Sequence, residues 1–68
     1  MSDLLTIETA KAYAASLISE SPELSLGDAR LDTVDGDLPV ILVDILRDGQ
    51  PWSRADVWLE HGRLYGEW

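Results

Sequence analysis

The chain contains no cysteine, and this absence removes two common means of stabilising a small protein. Without cysteine it forms no disulfide and no thiolate metal site. A folded chain of 68 residues buries only about 60% of the surface that its unfolded form exposes. We therefore expect one small domain, residues 1–68, of marginal stability, and the small core is a reason to expect a partner.

Basic residues and long apolar runs are also scarce. Five Lys and Arg stand against 13 Asp and Glu, which gives a formal net charge of −8. Binding to phosphate backbones or to anionic membranes depends on clustered Lys and Arg, so we expect neither nucleic acid nor membrane as a direct ligand. The longest unbroken apolar run, Val40 to Val43, is too short to span a bilayer, and no basic signal-peptide start precedes it. These features predict a cytoplasmic protein.

Hydrophobic periodicity predicts a helix over residues 6–20. Apolar residues recur there at steps of three and four, namely Ile7, Ala10, Tyr13, Ala14, Leu17 and Ile18. Thr6 suits the N-cap, and Glu8 suits the positive end of the helix dipole. Pro22 is expected to end the element, because it disfavours helical geometry at Ser21.

After Gly27 the period changes from 3.6 to 2, which is typical of strands. Strands are predicted over 29–34, 40–46, 52–60 and 63–68, separated by turns at 35–37, 48–50 and 61–62. These connections are too short for parallel crossovers. The sequence therefore predicts an α+β fold in which one N-terminal helix packs on a four-stranded antiparallel meander, a two-layer sandwich.

The length of each turn decides which strand residues face the helix. Three-residue loops at 35–37 and 48–50, with a two-residue turn at 61–62, predict an inner face of Ala29, Leu31, Ile41, Val43, Ile45, Ala55, Val57, Leu59, Leu64 and Trp68. A two-residue turn at Asp48-Gly49 would instead turn Asp44 inward. Burial of an unpaired carboxylate costs several kcal/mol, so the first register is preferred.

In that register the opposite face has no helix to cover it. It carries the aliphatic residues Val40, Leu42 and Leu46 together with Trp52, Arg54, Trp58 and Tyr65. Trp, Tyr and Arg are enriched at binding hot spots, so this face is a candidate for partner binding or for a homodimer. The alternative is that cross-strand aromatic pairs only stabilise the sheet, by about 0.2–1 kcal/mol each, with arginine stems covering the rings.

Acidic residues are concentrated in one segment. Six of them, Glu20, Glu23, Asp28, Asp32, Asp35 and Asp37, are opposed there only by Arg30. Such a segment is either an electrostatic footprint for a basic partner or a solvated surface that favours solubility.

The chain lacks a pattern specific to catalysis or cofactor binding. The segment from Asp32 to Asp37 has neither the regular oxygen ligands nor the closing Glu of an EF-hand, so turn chemistry explains it better than calcium. The single histidine, His61, has no second histidine or cysteine with which to hold a transition metal. We therefore predict no catalytic residues, no metal, no cofactor and no enzymatic activity.

Together these features predict a small acidic protein that binds a macromolecular partner stoichiometrically. The largest basic surfaces in cells are nucleic-acid-binding grooves, so the favoured function is an inhibitor that occupies one. Small acidic inhibitors encoded by phages or mobile elements against bacterial defence systems, such as anti-CRISPR proteins, suggest this by analogy of class. Two alternatives remain: a homodimeric accessory subunit that uses the tryptophan-bearing face for self-association, and an antitoxin that neutralises a basic toxin.

Overall fold

The structure is a computed structural model that describes residues 4–32 and 39–68. Within these ranges one helix, α1 (Ile7–Leu17), precedes four strands: β1 (Leu24–Asp32), β2 (Val40–Arg47), β3 (Gln50–Glu60) and β4 (Arg63–Glu67). The strands form one antiparallel sheet in the order β1-β2-β3-β4. α1 packs on one face of this sheet, chiefly over β1. The predicted α+β meander is confirmed. No helix in the described ranges is both long and apolar enough to cross a membrane.

Helix α1 begins where the sequence predicts and ends earlier. Thr6 is the N-cap: its Oγ1 accepts from the Thr9 N–H at 3.0 Å, and the Thr9 Oγ1 accepts from the Thr6 N–H at 2.9 Å. The predicted end at residue 20 is wrong, because Ile18 is already the C-cap. Serine hydroxyls compete for backbone carbonyls at this end, since Ser16 donates to Ala12 O at 3.3 Å and Ser19 donates to Ser16 O at 3.0 Å.

Strand β1 also differs from its prediction, because it starts at Leu24 rather than after Gly27. The pairing with β2 shifts by one residue between Leu26 and Ala29, which marks a β-bulge at Gly27 and Asp28. A Cβ on Gly27 would lie 3.2 Å from the Cβ of Asp44, so glycine suits this close approach. The glycine is thus an interior residue of the strand and not its boundary.

The predicted three-residue loop at 48–50 is wrong, although the register that it was meant to explain is right. The turn contains only Asp48 and Gly49, with φ of 51° and 81°, and Gln50 pairs with Arg47. A bulge at Trp52 then inserts one extra residue, because Leu46 pairs with Pro51 while the preceding Ile45 pairs with Ser53. This extra residue restores the register that keeps Asp44 out of the core.

The tight turn predicted at 61–62 is confirmed, since His61 and Gly62 have φ of 51° and 75° and Leu59 pairs with Leu64. The predicted loop 35–37, and the predicted strand residues Thr33 and Val34, lie outside the described residues.

The core lies between the inner face of the sheet and one side of α1. Its buried members are Ala10, Ala14, Ile18, Ile41, Val43, Ile45, Ala55 and Val57. Leu31, predicted to be inward, has the inward register opposite Ile41 but remains 61% exposed. Ile7, predicted on the buried stripe, is 41% exposed. The helix spans about 16 Å and leads through a short connection into the start of β1, so it leaves the Leu31 end of the strand uncovered.

Candidate binding surfaces

The sheet face opposite α1 is here called the outer face. At its centre, neighbouring side chains of the same face shield an aliphatic residue from solvent. Leu42 at its centre is only 9% exposed although the core cluster does not include it. Its neighbours across the strands are Arg30 on β1 and Asp56 on β3. Arg30 reaches Asp44 at 3.6 Å. Arg30 thus lies across from an aliphatic side chain and pairs with an acid, which supports the sheet-stabilising interpretation for the centre of this face.

Arg54 supports the second ion pair of the outer face. Its Nε lies 3.5 Å from Asp56 Oδ1, an oxygen that is shielded from solvent and that accepts no hydrogen bond from the described residues. Glu67 is the cross-strand neighbour of Asp56 on β4, and like charges placed opposite each other destabilise a sheet. Arg54, predicted as a partner-binding residue, therefore already compensates charge within the fold.

Trp58 and Tyr65, both predicted on this face, are paired across β3 and β4 and form a stack. Their ring centroids are 6.3 Å apart with an interplanar angle of 21°. The indole Nε1 of Trp58 donates to Glu60 Oε2 at 3.3 Å. Tyr65 remains 42% exposed. The pair is therefore ordered by the sheet while keeping one ring open to solvent.

Trp52 belongs to a different cluster from the one predicted. Its ring lies edge-to-face with Trp68, with centroids 5.7 Å apart at 65°, and the Arg47 Cζ lies 6.0 Å from the Trp52 centroid. Trp52 is 50% exposed and Trp68 is 48% exposed. Sequence reasoning placed Trp68 on the inner face and did not select Arg47. The bulge that presents Trp52 carries no local sequence signal.

The predicted acidic segment follows the edge of the sheet. Glu20 lies in the turn after α1 and Glu23 directly before β1, while Asp28 lies at the bulge and Asp32 ends the strand. β1 is an edge strand. Within residues 4–32 and 39–68, no basic side chain comes within ion-pairing distance of these four carboxylates. Asp35 and Asp37 lie outside the described residues.

The two ends of β1 lie at opposite ends of the sheet, and each end of the sheet carries a different aromatic group. The Asp48 N–H donates to Glu23 O at 2.9 Å, and Leu24 pairs with Arg47, so Glu23 shares one end of the sheet with the β2–β3 turn. We call this region, with Trp52 and Trp68, the turn end. Asp32 pairs with Val40, which pairs with Trp58, at the opposite end. At about 3.3 Å per residue, the two ends of β1 are roughly 25 Å apart.

Comparison with known protein families, characterised proteins and solved structures finds no match to this chain. The candidate site therefore has to be defined from its own chemistry. His61 is exposed in its turn. Among the residues that the structure describes, no three His, Asp or Glu side chains are grouped to hold a metal, and no pocket is present. What these residues present to a ligand is a flat face, an acidic edge and two aromatic clusters.

Proposed function

We propose that the protein is a non-enzymatic binding protein that acts stoichiometrically on a protein with a basic surface. The observation that carries the proposal is the unequal distribution of ion pairs. Arg30 and Arg54 pair with Asp44 and Asp56 on the outer face. The acids of the β1 edge, Glu20, Glu23, Asp28 and Asp32, form no ion pair within the described residues, so this edge can attract a cationic partner.

A nucleic-acid-binding surface is the favoured target. Such surfaces present clustered Lys and Arg that contact successive phosphates, and they are strongly positive over long distances. A row of unpaired carboxylates along about 25 Å of strand edge offers negative charge on a comparable scale. By occupying the groove, the protein would exclude DNA or RNA and act as an inhibitor. An antitoxin acting on a basic toxin rests on the same electrostatics and differs only in its target.

Acidic residues also blunt edge strands against edge-to-edge pairing and increase solubility. Neither role predicts that the affinity for a partner depends on which acids are removed, as long as the net charge is the same. A pair of matched double variants separates them from partner binding: Asp28→Asn with Asp32→Asn removes two charges from the edge, and Glu8→Gln with Glu67→Gln removes two charges elsewhere.

The experiment is affinity capture from a lysate of the host, with both variants and the wild type as baits, followed by binding measurements on the captured protein. We expect a basic protein that binds the wild type and the control at low salt. Its affinity should fall for the edge variant and at about 0.5 M salt, where charges are screened within a few ångströms. The captured protein should also lose its binding to nucleic acid when it is in the complex. Equal affinity for all three baits, unchanged by salt, would contradict the proposal.

A homodimeric accessory subunit is the second candidate, favoured by the solvent-exposed ring of Tyr65 that stacks on Trp58. A dimer through the outer face would bury this stack and relieve the small core. Light scattering after size-exclusion chromatography tests it: a dimer that becomes monomeric with Trp58→Ala supports self-association. A monomeric protein at high micromolar concentration would contradict self-association and leave the outer face free for another partner.

A further inference from the structure

We propose that the edge-to-face pair of Trp52 and Trp68 receives an arginine side chain of the basic partner. The inference rests on the proposed function, because it needs a partner that carries exposed arginine. It adds an aromatic contact to the electrostatic attraction of the acidic edge, and it assigns to the turn end a recognition role that the outer face does not explain.

The first argument is the way in which the fold presents the two indoles. The bulge in β3 gives Trp52 a position beyond the regular pairing, since Leu46 pairs with Pro51 and Ile45 with Ser53. Bulges commonly re-aim a side chain in this manner. The two rings hold each other at 5.7 Å, yet each stays about half exposed. Two large, mutually ordered aromatic groups lose little entropy on binding, which is typical of hot-spot residues.

The second argument is that Trp52 already lies beside a guanidinium. The Arg47 Cζ is 6.0 Å from the Trp52 centroid, within the range of a cation–π contact. A partner arginine has the same chemistry and can use the open area of Trp52 or of Trp68, which is 48% exposed. The ring faces carry partial negative charge, so they attract a cation and not an acid.

The third argument is the charge around the pair. The Asp48 N–H bonds to Glu23 O, so two acidic residues belong to the turn end. Neither has a basic side chain at ion-pairing distance within the described residues. Within the described residues, Arg47 is the basic side chain that lies beside Trp52 at this end. Carboxylates at the same end of the sheet as two exposed indoles complement arginine, which combines charge with a flat surface that stacks.

The indole N–H resonances of the three tryptophans test the inference in the wild-type protein. A basic probe, octa-arginine, is titrated at low salt, and the signals are assigned with single Trp→Phe variants. We expect the Trp52 and Trp68 signals to shift together while the Trp58 signal, whose N–H bonds to Glu60, stays in place. Trp52→Ala should weaken octa-arginine binding about fivefold, corresponding to one cation–π contact. Octa-lysine should bind more weakly than octa-arginine.

The outcomes separate this inference from the function on which it rests. If the wild type binds no basic peptide in a salt-dependent manner, the proposed function fails. If binding is salt-dependent and is reduced by the Asp28→Asn, Asp32→Asn variant, but the Trp52 and Trp68 signals do not move, the proposed function stands and this inference is overturned. An equal shift at Trp58 also overturns it.

Discussion

Replacing Gly66 with alanine should destabilise the protein through one defined contact. Gly66 lies on β4 opposite Val57, on the inner side of the sheet. A Cβ added there would come 2.8 Å from the Cε1 of Tyr13 and 3.2 Å from the carbonyl oxygen of Asp56. Tyr13 is a partly buried residue that packs against the core, so its ring has little room to retreat. An aromatic ring that covers a glycine of an edge strand is a known device for stabilising sheets.

The size of the effect follows from two opposing terms. Overpacking of this kind costs about 1–3 kcal/mol. Exchanging glycine for alanine in a strand restores about 0.5–1 kcal/mol of backbone entropy. The net loss is about 1–2 kcal/mol, which corresponds to about 1–2 M in the urea midpoint for a small domain. The same change lowers the melting temperature by roughly 5–15 °C.

A double-mutant cycle with Tyr13→Ala isolates the contact. Once the ring is gone, Gly66→Ala should become neutral or slightly stabilising, measured by urea unfolding monitored by circular dichroism. Gly49→Ala is the control, since no atom lies within 4 Å of its added Cβ and its φ of +81° alone causes the strain. It should cost about 1 kcal/mol in both backgrounds. A Gly66→Ala cost that is the same with and without Tyr13 would refute the reasoning.

Three further predictions address the core, the helix cap and the charge. Ile45→Ala, at a fully buried position, should lower the free energy of unfolding in urea by about 2–5 kcal/mol. Leu31→Ala, at a position that is 61% exposed, should change it by less than about 0.5 kcal/mol. Equal losses would contradict the assigned core. Thr6→Ala removes the N-cap acceptor of the Thr9 N–H and should lower stability by about 1 kcal/mol, seen as a lower melting temperature. Because the net charge is −8, added salt should raise the melting temperature by screening self-repulsion, and a fall would contradict this.

The fold could be predicted because the helix, the strands and their antiparallel pairing each have a local cause in the sequence. The four-residue spacing of Ala10, Ala14 and Ile18 places them on one side of a helix, and all are buried. The alternation in the later segments specifies strands, and short connections permit only antiparallel pairing. The end of the helix is harder to predict. Its C-cap is Ile18, before Pro22, and serine hydroxyls donate to backbone carbonyls there.

The binding surfaces were only partly predictable. Trp58 and Tyr65 are predicted on the same face, which their observed pairing confirms, and the structure adds that their rings stack. Arg54 is predicted as a contact residue, and the structure adds an ion pair between Arg54 and Asp56. That pairing depends on where neighbouring side chains meet, which a list of charges along the chain does not contain.

The residues around Asp44 show what the sequence and the tertiary structure each contribute to the register of the sheet. The residue types alone predict that this carboxylate faces away from the helix, because burying it unpaired costs several kcal/mol. The argument leaves the turn unspecified, since any turn that gives this register satisfies it. The structure shows a two-residue turn at Asp48 and Gly49, followed by a bulge at Trp52 that restores the register. The same bulge brings Trp52 to Trp68, a contact between residues from separate strands that no local pattern specifies.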